Sequence, residues 1–142
     1  EGYATAATLA EALDGKAVVV SAFDAGNLPM VATAIREKFP EKPILIAADD
    51  DRDKRTNPGQ EFSRKAAEAI SAIVISPVFA PGEQAREPAR YSDFNDLKVN
   101  SRLGMEAVKA QLEAGLDKAM EKRQDKERQQ PVLALKHEEA ER

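Results

Sequence analysis

Three consecutive carboxylates, Asp49-Asp50-Asp51, close an apolar run of strand length, Ile44-Leu45-Ile46-Ala47-Ala48. A hard divalent cation such as Mg²⁺ takes oxygen ligands, and the Asp-x-Asp spacing of Asp49 and Asp51 suits one. Acids this close cannot all ionise cheaply without a cation or a basic partner. The plainer use of such a run is a solvated turn or helix cap. A continuous Ile/Leu/Ala run suits a parallel strand covered on both faces. Sheets of that kind present their chemistry just past the carboxyl ends of their strands.

Three further acid positions fall at comparable places: Glu1-Gly2, Asp24, and Asp93-x-x-Asp96. In a parallel sheet these strand ends share one edge, so acids far apart in sequence can converge there. Gathered carboxylates without basic partners call for a cation. Each position also has an ordinary reading. Glu1 can be a frayed, exposed terminus; Asp24 and the Asp93/Asp96 pair can close Asx turns. Asp50, between the two spaced acids, is expected to face solvent or to sit behind the ligands. Arg52, Lys54, Arg55 and Lys65 could touch nucleotide or template phosphates, or be merely solvated. Gly26 and Gly59 are expected to serve turns, Tyr3 to pack, and His137, in a charged tail, not to be a ligand.

The elements that must position these residues alternate. Thr5–Leu13 favours helix and stops at Asp14-Gly15. Ala17–Phe23 is β-branched, nearly uncharged, and predicts a buried strand. Asn27 or Leu28 caps a helix with Pro29 in its first turn, burying Val31, Ala34, Ile35 and Phe39 and ending at Pro40. The acid-tipped strand follows, then a polar loop, then a helix with Phe62, Ala66, Ala69, Ile70 and Ile73 on one face. Ile73–Ile75 is a further short strand, and Pro77–Ser92 a long irregular loop. Leu103, Met105, Val108, Leu112, Leu116 and Met120 mark an amphipathic helix, interrupted by Gly115 and running out through a polar stretch, Glu121–Gln130, into solvent. Val132–Leu135 could add a strand. The order α-β-α-β-α-β-loop-α implies an α/β fold with a mostly parallel sheet flanked by helices.

At 142 residues the chain is one domain by length. The lack of an initiator Met suggests a piece of a longer protein. Cysteine is absent, which excludes disulfides and a Cys-based zinc site and fits a reducing, cytoplasmic compartment. No apolar stretch approaches membrane-spanning length. A net charge of -4 lacks the basic footprint of a stand-alone nucleic-acid binder, so any nucleic acid would come with metal ions or be held by neighbouring domains.

In this order the motifs resemble those of a Toprim domain, the module shared by bacterial primases, type IA and type II topoisomerases and some nucleases. They are most similar to the form in plasmid- and phage-type DNA primases and conjugative-transfer proteins. The resemblance covers residues 1–115, leaving 116–142 as a solvated helix extension and tail. It rests on Glu1-Gly2-Tyr3-Ala4-Thr5-Ala6, Phe23-Asp24-Ala25-Gly26-Asn27-Leu28, Ala48-Asp49-Asp50-Asp51, Asn57-Pro58-Gly59 leading to Lys65-Ala66-Ala67, and Asp93-Phe94-Asn95-Asp96-Leu97.

What the resemblance implies is specific. It makes Glu1 the catalytic acid/base, Asp49 and Asp51 ligands of Mg²⁺ (or Mn²⁺), and Asp93 and Asp96 a further metal-holding pair. It implies a Toprim fold and synthesis of RNA primers on single-stranded DNA by the full-length protein, with nucleotides and template as partners and no membrane. The family's strand before the glutamate is expected upstream of Glu1, or replaced by Val132–Leu135. Two other functions stay open: a metal-dependent Toprim nuclease, and a non-catalytic interaction module of a conjugative relaxase or transfer protein. Oligomeric state stays undetermined.

Overall fold

Strand β1 (Leu45–Ala47) lies parallel to β2 (Ile73–Ile75), with Leu45 opposite Ile73 and Ala47 opposite Ile75. In the computed structural model, which describes residues 1–140 and their side chains as far as Gln129, these two strands form the sheet. Around them lie α1 (Tyr3–Leu13), α2 (Leu28–Lys38), α3 (Pro58–Ile70), α4 (Glu83–Arg86), α5 (Phe94–Val99) and α6 (Gly104–Ala140).

The period of two along a strand divides the core into two layers. Ile46 and Val74 turn to one face, where Ala32 of α2 and Ala66, Ala67 and Ile70 of α3 cover them. Leu45, Ala47 and Ile75 turn to the other, against Leu9 of α1, Phe94 and Leu97 of α5, and Val108 and Leu112 of α6. The result is the α/β arrangement of helices on a parallel sheet, with a long C-terminal helix.

Local chemistry sets the helix ends. The Asn57 side chain accepts from the Gln60 N–H, and Pro58 occupies the first turn of α3, where its missing N–H costs little. Ser71, in the left-handed region at φ 56°, closes that helix. Asp14 does the same for α1 at φ 45°.

Ala17–Phe23, expected as a buried strand, lies outside the sheet, and its last residue, Phe23, takes a left-handed φ of 63°. Val18 is 92% and Phe23 75% exposed. Propensity describes a residue's fit to a pleated surface; a strand also needs a neighbour to complete its ladder, and the segment has none among the described residues. Two other expectations shift. On α2 the buried residues are Leu28 and Ala32, while Ala34 and Phe39 are exposed, so the buried stripe is rotated. The stretch from Pro77 to Ser92 is not wholly irregular, since it contains α4 and a 3₁₀ turn at Pro88–Arg90. Val132–Leu135 falls within the bounds of α6, and its side chains, like that of His137, lie outside the described residues.

Gly115 does not interrupt α6. It is the point where the helix crosses the sheet. A Cβ built there would lie 3.0 Å from Ile75 Cγ2 and 3.1 Å from both Leu45 methyls. Packing continues past it, with Ala119 buried and Lys122 Nζ donating to the Ala72 carbonyl. Gly115→Ala is expected to be near neutral: helix propensity gains about 1 kcal/mol, offset by crowding against methyls that can give. Gly115→Val should cost about 1–3 kcal/mol by overpacking. Urea denaturation of the two variants checks both values.

Candidate metal centre

The acid run leaves the sheet one residue after β1, where the Ala48 N–H still bonds the Ile75 carbonyl. From there the three carboxylates diverge. Asp49 turns toward Glu1, and the two half-buried carboxyls face each other. Glu1 Oε1 and Asp49 Oδ1 are buried and have no hydrogen-bond donor. When both are ionised neither has a proton to offer, so these groups can bond only by sharing one. Burial first, then the charge and contact of Glu1, push the Asp49 carboxyl up to about 8, with Asp93 adding to the rise.

Gly59, in the first turn of α3, makes this approach possible. A Cβ there would lie 2.7 Å from Glu1 Oε1 and 2.8 Å from the Asp49 carbonyl oxygen. Glu1 is fastened from the other side by Ser21 Oγ, which donates to its carbonyl at 2.9 Å.

Asp51 is also buried but has a partner, Lys54 Nζ at 2.9 Å. That bond raises the Lys54 ammonium above its ordinary range, and Glu1 adds to the rise, so Lys54 belongs to the acid cluster. Asp93 caps α5, its Oδ1 accepting from the Asp96 N–H at 2.7 Å. Burial raises its carboxyl, although amides and the Thr5 hydroxyl pull the other way. Asp96 instead closes its own turn. Its Oδ2 accepts from the Ser92 N–H and hydroxyl, and its Oδ1 from Asn100 Nδ2.

Glu1 and Asp93 therefore both act on Asp49 at one end of the sheet, with Asp51 and Lys54 alongside. No three His, Cys, Asp or Glu side chains among the described residues close around a single ion position. Arg52 pairs with Asp50, Arg55 is exposed in the loop, and Lys65 pairs with Glu61 on the surface of α3. Asp24 accepts from the Gly26 N–H, an ordinary turn closure. Tyr3, expected to pack, is 74% exposed, because the first turn of α1 points it away from both core layers.

Asp50, expected to face solvent or lie behind the ligands, is 5% exposed. Its carboxylate takes bonds from Arg52 Nε, Asn57 Nδ2 and Gln84 Nε2. Of the two expectations the inward one describes its place, although nothing in Asp-Asp-Asp names the partners that hold it there. Gly59 was visible as a turn residue, but its contact with Glu1 joins segments far apart in the chain.

Residues 1–102 match the family described as the Toprim domain. The chain belongs to that family. Two Escherichia coli proteins, each named DNA primase TraC, are similar to this Toprim domain. One is 55% identical over 89 residues, covering 60% of this chain and 8% of its own length. The other is 53% identical over 87 residues, covering 58% and 6%. The chain thus spans less than a tenth of the curated relatives it matches. No solved structure matches. Among the described residues, no helix is long and apolar enough to cross a membrane.

Toprim domains generally bind divalent metal ions, and the donor type gathered here, carboxylate oxygen, is the one such an ion takes. Asp49, Asp51 and Asp93 offer hard carboxylate oxygens, and of these Asp49 Oδ1 is buried without a partner. A pH dependence follows. The folded chain holds a proton at Asp49 up to about 8, whereas an unfolded Asp releases it near pH ~4. Below pH ~4 both states are protonated; above it the folded state binds more protons, so metal-free stability falls as pH rises toward 8. Thermal unfolding at pH 5 and pH 8 in EDTA should show the lower midpoint at pH 8. Added Mg²⁺ should restore it there.

Proposed function

We propose that this Toprim domain is the Mg²⁺-dependent (or Mn²⁺-dependent) catalytic module of a DNA primase. In this reading the full-length protein joins ribonucleotides on a single-stranded DNA template during plasmid or phage replication or conjugation, in the cytoplasm. The observation that carries it is the pair of partnerless buried oxygens on Glu1 and Asp49, placed where Asp93 adds its charge. Similarity to two proteins named DNA primase TraC supports the choice of reaction.

The residues divide the work. Asp49, Asp51 and Asp93 would hold the cation, with Asp96 fixing the turn that presents Asp93. The chemistry supplied by a bound Mg²⁺ is screening of triphosphate charge and polarisation of the reacting oxygens. Glu1, on a different segment from the Asp pair, is the proton acceptor for the attacking hydroxyl. Lys54 exchanges Asp51 for a substrate phosphate, and Arg52, Arg55 and Lys65 line the approach of nucleotide and template. Template and nucleotide contacts lie partly in the rest of the relatives' length, so this domain alone should bind the cation weakly and make little primer.

The test is an assay of the full-length protein with labelled ribonucleotides, a single-stranded template and Mg²⁺. Primer-length RNA that disappears with EDTA is the expected product. Metal-dependent nicking without RNA synthesis would assign a Toprim nuclease instead. Primer synthesis undiminished by Asp49→Asn combined with Asp51→Asn would reduce the domain to an interaction module.

A further inference from the structure

We propose that Asp50 is the positioning residue that holds the Asp49–Asp51 loop and the Asp93 turn in one arrangement. The inference rests on the metal reading above and deepens it, because Asp50 touches neither cation nor substrate in that reading.

Two routes tie the loops together through this one residue. The backbone route is direct: the Asp50 N–H donates to the Ser92 carbonyl at 2.7 Å, one residue before Asp93. The side-chain route runs through three donors. Asn57 Nδ2 reaches Asp50 Oδ1 at 2.8 Å, while Arg52 Nε and Gln84 Nε2 reach Oδ2 at 2.7 and 3.0 Å. Two of these donors extend the network. Asn57 Oδ1 accepts from the Asp51 N–H at 3.0 Å, which orients the following acid. Gln84 Nε2 also reaches the Tyr91 carbonyl at 3.1 Å, which fixes the segment leading to Asp93.

Asp50 therefore joins the acid loop, the start of α3, α4 and the entry to α5. A buried charge survives in a fold only when its oxygens are satisfied, and here they are. The geometry requires a carboxylate. An amide in its place would turn an NH₂ either toward Asn57 Nδ2 or toward Arg52 and Gln84, setting donor against donor. Asn57 cannot flip to relieve the first clash without abandoning the Asp51 N–H.

The experiment compares the unaltered chain with Asp50→Asn and Gln84→Ala. Gln84 is half-buried and removable without opening the core, so it serves should Asp50→Asn fail to fold. Mn²⁺ affinity and residue-by-residue NMR broadening are read beside the thermal midpoint. Supporting partners of metal ligands typically contribute 10- to 100-fold in affinity, so Gln84→Ala should lose about 10-fold and Asp50→Asn up to about 100-fold. Broadening at Asp93 should fade relative to Asp49 while the Gln84→Ala midpoint stays close to that of the unaltered chain. Affinity and broadening unchanged in either folded variant overturn the proposal.

A second readout needs no metal. Exchange of the Asp50 and Asp51 amides should accelerate about 10-fold in Asp50→Asn, or in Gln84→Ala should that variant alone fold, while Ala48 keeps its protection. Unchanged exchange overturns the positioning role. Failure of the unaltered chain to bind Mn²⁺ saturably, with accelerated exchange intact, overturns the metal reading alone.

Discussion

Asp49→Asn is expected to lower primer synthesis by the full-length protein about 10²- to 10³-fold, the range seen when one preorganised electrostatic group is removed from an active site. The same substitution should stabilise the metal-free domain at pH 8. Both effects follow from one geometry. Asp49 faces Glu1 in a half-buried site, and its carboxyl is held up to about 8. Asn has nearly the shape of the protonated acid and carries an N–H that can donate to Glu1, without the repulsion that two ionised carboxylates suffer. It cannot bind a divalent cation as a carboxylate does. Activity and stability therefore move in opposite directions. Thermal unfolding in EDTA at pH 8, paired with the synthesis assay, distinguishes a site residue from a structural one, whose loss would lower both.

Gly59→Ala should cost about 10²-fold in the same assay, because a shift of the reacting groups by an ångström can have that effect. A Cβ at this position meets Glu1 Oε1 at 2.7 Å and the Asp49 carbonyl at 2.8 Å. The second contact is with backbone, which cannot swing aside. Helix propensity favours Ala by about 1 kcal/mol, but overpacking against it costs about 1–3 kcal/mol, so urea unfolding should show a net loss. Gly26→Ala is the control. Its nearest neighbour is the Asp24 side chain at 3.0 Å in an exposed turn, and synthesis should hardly change.

The acid-tipped strand was legible because an apolar run, a period and a charge all changed at one place. The helices announced themselves through first-turn and stop residues such as Pro29 and Asp14-Gly15. Ala17–Phe23 misled because its composition carries strand propensity, while pairing depends on a neighbour that no local window contains. Gly115 misled in the opposite sense. In isolation a helical glycine is a weakness, and only the crossing of Leu45 and Ile75 shows its use. Within the candidate site the sequence order placed Glu1, Asp49 and Asp93 at comparable strand and helix ends. It could not distinguish their orientations. Asp96 turned to Ser92 and Asn100, and Asp50 turned inward, because hydrogen bonds from distant segments decided where each carboxylate points.

Glu1, Asp49 and Asp93 come from three segments that meet only when α1, β1 and α5 have docked. Contacts between segments so far apart in the chain close a large loop before they reward it, which places them late on the route to the folded state. A cation held by Asp49, Asp51 and Asp93 beside Glu1 would have little to grip in the folding transition state. It would slow escape from the folded state and leave the rate of arrival nearly unchanged, so its contribution would be to lifetime.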